Sequence, residues 1–407
     1  MNNKKKIALL QINVTANKGS HGKIAEEIGK LVKELGWRSV IAYGREANLS
    51  QSELLRIGSG VDVIEHVIES RLLDNHGLAS RRATKKLIQQ INEIKPDIIH
   101  LHNIHGYYSN YRLLFNYLNK LNIPVVWTLH DCWSFTGHCS HFESANCDRW
   151  KTLCLNCPLK NDYPKSWLID SSKKNYKLKK ELFSKNKNLH FIPVSDWLNG
   201  LLNDSFLKDC DRRVVRNGVN LAVFFPQREN NDDIFRIIGV SNIWTERKGL
   251  YDFYKLREVL DVNLFQITIV GLNEKQIKEL PKGIEGIQRT DSVEELAKMY
   301  SNADVFVNLT YADTFPTVNI EALACGTPVV TYETGGSPEI VDEKTGIVVE
   351  QGNIKDLVIA IHKIKNLSPE ERQELRMRCR KRAEENYEKN RQYAEYVRIY
   401  QTLLGGF

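Results

Sequence analysis

The sequence predicts an α/β protein with two doubly wound domains, each built on a parallel sheet with helices on both faces. Short apolar runs alternate with segments of helical periodicity along the whole chain, which is the pattern of buried parallel strands and covering helices. The 407 residues are too many for one ordinary domain and suit two. A polar stretch, residues 227–233, follows Pro226 and is the expected linker between two such series.

The individual elements follow from the same pattern. The expected strands of the first series are Ile7–Asn13, Ser39–Tyr43, Asp97–Asn103, Val125–His130 and His190–Val194, with helices at Gly22–Leu35 and Arg112–Leu121 among them. The expected strands of the second series are Phe235–Val240, Phe265–Val270, Asp304–Leu309, Pro328–Tyr332 and Gly346–Val349, with helices at Gly249–Leu260, Val293–Tyr300, Thr317–Ala324 and Ile354–Ile364. Repeated strand–helix units of this kind predict parallel sheets, whose ligands bind beyond the carboxyl ends of the strands.

The composition is that of a soluble globular protein. Charged residues make up 26% of the chain and hydrophobic residues 42%, which excludes collagen-like and disordered classes. No stretch approaches the ~18 uninterrupted apolar residues of a membrane-spanning helix. The basic, partly apolar start is interrupted by Gln11 and Asn13 and lacks a cleavage site of small residues, so we expect a cytoplasmic protein without a signal peptide.

The positive charge is concentrated. The formal net charge is +7, and the whole excess lies in the first 200 residues, with a lysine-rich run at residues 173–187. One interpretation of this run is a solvated helix face, and another is attraction to anionic lipid headgroups, which predicts peripheral contact with a membrane. Nucleic acid would be attracted by the same charge, but no nucleic-acid motif accompanies it.

The segment from Asp313 to Pro328 has the strongest chemical pattern. Two carboxylates, Asp313 and Glu321, stand eight residues apart. Pro316 suits the first turn of a helix, where Thr317 and Val318 would present N–H groups to a diphosphate. Glu321 would then lie one turn inside, able to accept both hydroxyls of a ribose. An ordinary amphipathic helix with a surface glutamate is the alternative.

A glycine-containing turn follows the first strand, and Gly19 and Ser20 there are candidate phosphate contacts. The turn is neither G-x-G-x-x-G nor a Walker loop, and a plain strand-to-helix connection explains it equally well.

At the segment from Asp313 to Glu321 the chain resembles the E-x7-E region of retaining glycosyltransferases of family 4, which have the GT-B architecture. The resemblance extends over most of the chain, through Gly19–Gly22, Thr128–Asp131, Asn217–Asn220, Arg247–Gly249, Gly335–Glu339 and a terminal helix at Tyr387–Leu404. More narrowly, the run from His100 to Tyr108 and the cysteine-rich run after His130 resemble bacterial members that build exopolysaccharide of the colanic-acid type.

The resemblance implies two Rossmann-like domains that face each other across a cleft. Residues 1–220 would form the acceptor domain, with a cysteine-rich insertion at 132–157. Residues 221–385 would form the nucleotide-sugar donor domain, and residues 386–407 a helix that crosses back onto the first domain.

The resemblance also implies a reaction and its residues. The donor would be a nucleoside-diphosphate sugar, UDP- or GDP-linked, and the acceptor a glycan or lipid-linked saccharide, with retention of configuration and no catalytic metal. The implied catalytic residues are His130, Lys248, Asp313 and Glu321. Arg247, Phe315, Pro316, Thr317 and Val318 are implied for the nucleotide, and His102, Asn103, His105 and Tyr107 for the acceptor.

Two positions depart from the family pattern. The first acidic position of E-x7-E is Asp313, which is shorter than glutamate but still anionic. An arginine is usual five residues before the lysine, and Ile243 stands there instead. Arg247 is the candidate for the missing phosphate contact.

The cysteines form a separate cluster. Cys139, Cys147, Cys154 and Cys157 read C-x7-C-x6-C-x2-C, and four thiolates suit a closed structural zinc site. His138 and His141 are alternative ligands. Free buried thiols and disulfides are the other interpretations, although clustered cysteines of a cytoplasmic protein more often bind metal.

Three other functions remain open at this stage. A sugar-nucleotide epimerase uses the same architecture, and a catalytically silent sugar-nucleotide-binding subunit would explain Asp313 and Ile243. A dinucleotide-dependent oxidoreductase is disfavoured because G-x-G-x-x-G is missing. The sequence leaves the nucleotide base, the sugar, the acceptor, the linkage and the oligomeric state undetermined.

Overall fold

The computed structural model describes residues 6–229 and 233–405. The chain divides into two compact units. The first runs to Arg216 and takes in the terminal helix from Tyr393 onward, and the second runs from Asn217 to Gln392. The chain therefore changes unit before the expected linker, of which residues 230–232 lie outside the described residues.

The first unit is a six-stranded parallel sheet with helices on its connections. Its elements are β1 (Ala8–Ala16), α1 (Gly19–Glu34), β2 (Arg38–Ala47), β3 (Glu53–Arg56), α2 (Gly60–Leu73), α3 (Arg81–Ile94), β4 (Ile98–Leu101), α4 (Tyr111–Leu118), β5 (Val125–Leu129), α5 (Ser172–Phe183), β6 (Leu189–Pro193) and α6 (Asp196–Asp204). The strand order is β3-β2-β1-β4-β5-β6.

The second unit repeats this plan. Its elements are β7 (Phe235–Val240), α7 (Leu250–Val259), β8 (Phe265–Val270), α8 (Glu274–Lys278), β9 (Ile284–Ile287), α9 (Val293–Asn302), β10 (Val305–Asn308), α10 (Thr317–Ala324), β11 (Val329–Tyr332), α11 (Ser337–Ile340), β12 (Gly346–Val349), α12 (Ile354–Lys365) and α13 (Pro369–Asn386). The strand order is β12-β11-β10-β7-β8-β9. The terminal helix α14 (Lys389–Leu403) belongs to the first unit from Tyr393 onward.

Both sheets have the order of the Rossmann fold, in which the chain reverses its direction of winding after the third strand. The switch points lie between β1 and β4 in the first unit and between β7 and β10 in the second. Ligands of such sheets bind where the connections diverge, beyond the carboxyl ends of these two strands. The fold therefore brings the loops after β1 and β4 together, and likewise those after β7 and β10.

The terminal helix α14 completes the core of the first unit. Tyr396 and Tyr400 are buried against Leu9, Ile98 and Val126 of the sheet. The Tyr400 hydroxyl lies 2.6 Å from Nδ1 of His100, whose Nε2 lies 2.8 Å from the Thr128 hydroxyl. Buried polar groups must find partners, so this helix stabilises the fold by satisfying His100 as well as by apolar packing.

The strands β3 and β9 were not predicted from the sequence. Both β3 and β9 lie at a sheet edge, and their residues are half-buried or exposed, so neither forms an apolar run. Edge strands of this kind carry little of the hydrophobic signal that identifies a buried strand.

Among the described residues, none of the helices is both long enough and apolar enough to cross a bilayer.

Candidate active site

The loop after β7 places a lysine beside the loop after β10. A short 3-10 turn, Glu246–Lys248, reaches α7 through Gly249, whose φ is +77°. A Cβ at Gly249 would lie 2.1 Å from the carbonyl oxygen of Leu309, so only glycine permits this approach. The close packing fixes the position of Lys248 relative to the residues that follow β10.

Lys248 and Asp313 form an ion pair in the second unit. The Nζ of Lys248 lies 2.6 Å from Oδ2 of Asp313, and both side chains are 22% exposed. The other carboxylate oxygen of Asp313 accepts the Phe315 N–H at 3.3 Å. Two predicted site residues are thus brought together, and the ammonium group is held in place at the switch point.

The predicted role of Arg247 is compatible with its position but not established by it. Its guanidinium donates to the carbonyl oxygen of Ala312 at 2.5 Å. This hydrogen bond holds the Arg247 side chain against the loop that contains Asp313. Ile243 is exposed on the loop after β7. A phosphate contact by Arg247 in place of the family arginine therefore stays a prediction.

Helix α10 begins as the sequence predicts, at Thr317, with one correction. Pro316 precedes the first turn as the N-cap residue, with φ −69° and ψ 112°, because its extended backbone turns the chain into the helix. The Pro316 side chain makes no capping hydrogen bond, and the first turn holds no acidic residue. Thr317 and Val318 are half-exposed, so this helix end can accept an anion.

Phe315 has a packing position. Its ring is buried 6.0 Å from the ring of Tyr387, and its carbonyl oxygen accepts the Asn217 side-chain amide at 3.2 Å. The Phe315 ring therefore packs inside the second unit, and nucleotide contact by this residue stays a prediction.

Glu321 lies one turn inside α10 and is half-exposed. Its Oε2 accepts the hydroxyl of Tyr300 at 3.2 Å, and burial together with this carboxylate raises the pKa of Tyr300 well above its usual value. Tyr300 therefore stays protonated and orients Glu321. Tyr300 could not be predicted from local pattern, because its contact with Glu321 joins α9 to α10.

In the first unit, the turn after β1 is the first turn of α1. Gly19 has φ +68° and, with Ser20, is exposed at the start of this helix. The side chain of the N-cap residue, Lys18, makes no capping hydrogen bond to α1. The predicted phosphate contact of Gly19 and Ser20 stays a prediction.

A chain of hydrogen bonds fixes the tautomer of His130, which follows β5. Gln11 donates its side-chain amide to the carbonyl oxygen of Ala25 at 2.7 Å, so its Oε1 faces Nε2 of His102 at 3.1 Å. His102 Nε2 must therefore carry the proton, and its Nδ1 accepts from Nε2 of His130 at 3.2 Å. The lone pair of His130 is then on Nδ1.

This histidine pair is neutral at physiological pH. Burial, reinforced by the neighbouring histidines, lowers the pKa of both His102 and His130 well below the usual value. His21, whose ring lies 5.9 Å from that of His130, has its pKa lowered to about 4, mainly by burial. His130 therefore serves as a hydrogen-bonding group, and His102, which is fully buried behind it, orients it.

Of the other predicted acceptor residues, His105 and Tyr107 are buried and Asn103 is half-exposed. His105 pairs its Nε2 with Oδ2 of Asp131 at 2.9 Å, and its Nδ1 lies 3.3 Å from the Tyr163 hydroxyl. Burial favours a higher pKa for Asp131, but the charge and hydrogen bond of His105 outweigh it and lower that pKa. Tyr107 is buried, with its ring 5.0 Å from that of His76. Asn103 is the partly exposed member, and acceptor contact stays a prediction for all four residues.

The four clustered cysteines line one small cavity together with His138 and Trp150. Cys154 accepts the Gly137 N–H at 3.2 Å, and the neighbouring Cys139 thiol lowers the pKa of Cys157 to about 7. Within residues 6–229 and 233–405, no three His, Cys, Asp or Glu side chains are arranged to hold a metal ion. All eight cysteines are free thiols, and structural zinc stays a prediction.

Two Rossmann-like units, each with polar side chains at its switch point, define the class of GT-B proteins, and solved structures have the same architecture. A sucrose-phosphate synthase of Thermosynechococcus elongatus matches with a TM-score of 0.73 and 17% identity over 98% of this chain and 99% of that one. The Anabaena protein HepE in complex with UDP matches with a TM-score of 0.67 and 13% identity over 97% of this chain and 100% of that one.

Sequence relatives identify the family. Residues 22–223 match Glycosyltransferase Family 4, and residues 235–366 match Glycosyl transferases group 1. A colanic acid biosynthesis glycosyl transferase of Escherichia coli strain K12 is 24% identical over 86% of this chain and 89% of its own length. The chain belongs to the group 1, family 4 glycosyltransferases.

Proposed function

We propose that this glycosyltransferase moves a hexose-type sugar from a nucleoside-diphosphate sugar to a glycan or lipid-linked acceptor, with retention of configuration. The observation that carries the proposal is the Lys248–Asp313 ion pair beside the uncapped start of α10, with Glu321 one turn inside that helix. A cation, a helix N-terminus and a carboxylate are the groups that a diphosphate and its ribose require.

Charge stabilisation is the main contribution that these residues make. Breaking the bond between the sugar and the phosphate leaves negative charge on the departing diphosphate. The Lys248 ammonium and the N–H groups of Thr317 and Val318 would stabilise this charge without reorganising during the reaction. We therefore propose a reaction that needs no catalytic metal, because fixed groups of the chain supply the charge.

The first unit would hold the sugar and the acceptor. His130 would accept a hydrogen bond from the donor sugar at Nδ1, and attack by the acceptor hydroxyl on the face that the diphosphate leaves would retain the configuration. Asn103, which is partly exposed after β4, is the candidate for acceptor contact.

The comparisons support a donor class and a biological role. The Anabaena protein of the same fold was solved with UDP and with UDP-glucose, which supports a UDP-sugar here, with GDP as the second candidate. The Escherichia coli relative, named for colanic acid biosynthesis, supports a role in bacterial surface polysaccharide synthesis. We place the protein in the cytoplasm, where nucleotide sugars are available, with peripheral contact to the inner membrane face.

Nucleotide binding tests the proposal. The ligands are UDP, GDP, ADP, CMP and NAD, each at about 1 mM. We expect one of the nucleoside diphosphates to raise the thermal midpoint selectively, because a ligand at 100 times its Kd stabilises the folded protein by about 2.7 kcal/mol. Glu321→Ala should abolish this shift by removing the ribose contact. Glu343→Ala, on an exposed loop of the same unit, is the control. A shift with NAD alone, or an unchanged shift in Glu321→Ala, would contradict the assignment.

Metal analysis tests the cysteine cluster. If the thiolates of Cys139, Cys147, Cys154 and Cys157 hold structural zinc, protein purified without chelator should contain close to one equivalent, and Cys154→Ser should lose it and unfold at lower temperature. Cys210→Ser, outside the cluster, should change neither. Less than about 0.2 equivalents would leave the cysteines as packed thiols.

A further inference from the structure

Helix α2 presents one row of apolar side chains to solvent. The residues concerned recur every three or four positions, lie on one face and are 64%, 61%, 52% and 37% exposed: Val61, Ile64, Ile68 and Leu72. The buried positions of the same helix are His66 and Ser70. A helix on the surface of a globular protein normally has the reverse arrangement, so folding of this chain alone does not account for the exposed face.

An apolar loop continues this surface beyond the end of α2. Trp167, Leu168 and Ile169 are 58%, 69% and 45% exposed. The Trp167 N–H donates to the carbonyl oxygen of Arg71 at 2.6 Å, and the Arg71 guanidinium lies 5.9 Å from the Trp167 ring centre. The loop is therefore fixed against the last turn of α2, and the two apolar segments form one surface.

Lysines border the same surface. The loop leads through Ser171, whose N–H donates to Asp74 Oδ2 at 2.8 Å, into α5. Lys173, Lys174 and Lys177 are exposed there and line an open groove with Arg112, although Asp170 and Glu181 also border it. Lys179 of the same helix is buried, where it donates to the carbonyl oxygens of Trp133 and Thr136. The lysine-rich run is thus a cationic face on one side of α5 only.

We propose that this surface, made of the exposed face of α2, the loop 167–169 and the lysines of α5, seats the first unit on an anionic lipid bilayer. Aliphatic side chains, a tryptophan and adjacent lysines are the groups that insert at the boundary of headgroups and acyl chains. The lysines select the occupant, because they are complementary to anionic headgroups. The inference concerns the first unit, whereas Lys248 and α10 belong to the second, so membrane binding and donor chemistry can be tested separately.

Vesicle co-sedimentation of the full chain tests the proposal. We expect partition into phosphatidylcholine vesicles with about 30 mol% phosphatidylglycerol to exceed partition into pure phosphatidylcholine by more than about tenfold. Ile64→Ser with Ile68→Ser should lower binding by about tenfold or more through loss of inserted apolar area. The triple variant Lys173→Gln, Lys174→Gln and Lys177→Gln should lose the preference for the anionic lipid.

Matched variants of the second unit distinguish binding through this surface from non-specific binding of exposed apolar and basic side chains. The first control, Val262→Ser with Ile359→Ser, replaces two aliphatic side chains that are 61% and 64% exposed. The second control, Lys278→Gln with Lys282→Gln and Lys298→Gln, removes three exposed charges. Neither should change binding. The substituted positions are all exposed, and circular dichroism verifies that each variant folds.

Several outcomes would overturn the proposal. These are failure of the chain to bind anionic vesicles, equal loss of binding in the second-unit variants, or undiminished binding in both first-unit variants. A dimer in sedimentation equilibrium that Ile64→Ser with Ile68→Ser dissociates, without vesicle binding, would assign the surface to a second copy of the chain instead.

Discussion

Replacing Lys248 by methionine is expected to lower kcat by about 10³-fold. Preorganised cationic and hydrogen-bonding groups act on charge that develops in the transition state, and removing one typically costs 10²–10³ in rate. Lys248 is such a group, because its ammonium is fixed at 2.6 Å from Asp313 beside the start of α10. The measurement is transfer of sugar from the donor that nucleotide binding identifies, with kcat and KM determined separately.

The substitution also leaves the Asp313 carboxylate without its partner, so a second variant and a control are needed. Lys248→Met with Asp313→Asn removes both charges and should remain as inactive as the single variant while recovering its stability. Lys255→Met removes a lysine of α7 that lies 2.9 Å from Asp252 and should leave kcat within a factor of about two.

The form of the loss distinguishes catalysis from binding. A fall in kcat with little change in KM means that Lys248 acts on the transition state. A rise in KM alone would assign it to ground-state binding of the diphosphate. A kcat within tenfold of the wild-type value would contradict a catalytic role for Lys248.

Much of the fold was predictable because parallel sheets bury their strands on both faces. The apolar runs at Phe235–Val240 and Phe265–Val270 identify β7 and β8, and α10 was predicted from Thr317 to Ala324 as observed. The edge strands β3 and β9 lack such runs and were missed.

The site was predictable only where its residues are neighbours in sequence or share a motif. The hydrogen bonds from Gln11 to His102 and from His102 to His130 depend on the order of strands β1, β4 and β5. The contact of Tyr300 with Glu321 depends on how α9 packs on α10. Local pattern contains neither relation, because both arise from tertiary packing.

Exposure is another property that the pattern misjudged. The lysine run at residues 173–187 predicts one solvated face, yet Lys179 is buried and burial lowers its pKa to about 7. Conversely, Val61, Ile64 and Ile68 have the spacing of one helix face, and they are exposed although such apolar faces are usually buried. Periodicity identifies a face of a helix but does not determine which way that face points.

Acidification from pH 7.5 to 5.5 is expected to destabilise the first unit strongly and the second only slightly. Ten of the eleven histidines precede residue 191, and only His362 belongs to the second unit. Burial is the main cause of a lowered pKa at six of the ten: His21, His66, His76, His100, His102 and His130.

The sign follows from proton linkage. Below the unfolded pKa of about 6.5 the unfolded chain binds protons that the folded chain does not, so stability falls as pH falls. His21 and His66 have their pKa lowered to about 4, and each should cost about 1.4 kcal/mol at pH 5.5. Burial lowers the pKa of His138, but the hydrogen bond and charge of Asp74 outweigh burial and raise that pKa, so His138 opposes this trend and adds stability as pH falls.

If all six behave alike, the loss at pH 5.5 is about 8 kcal/mol, which is comparable with the whole stability of a domain. Calorimetry at pH 7.5, 6.5 and 5.5 should show the transition of the first unit moving to much lower temperature, while the transition that a nucleoside diphosphate shifts stays nearly constant. His66→Gln removes one titrating group and should reduce the pH dependence by about 1.4 kcal/mol, whereas His362→Gln should not alter it. Coincident transitions that shift equally, or a first transition unchanged down to pH 5.5, would contradict the prediction, because six buried neutral histidines should make the first unit the acid-sensitive one.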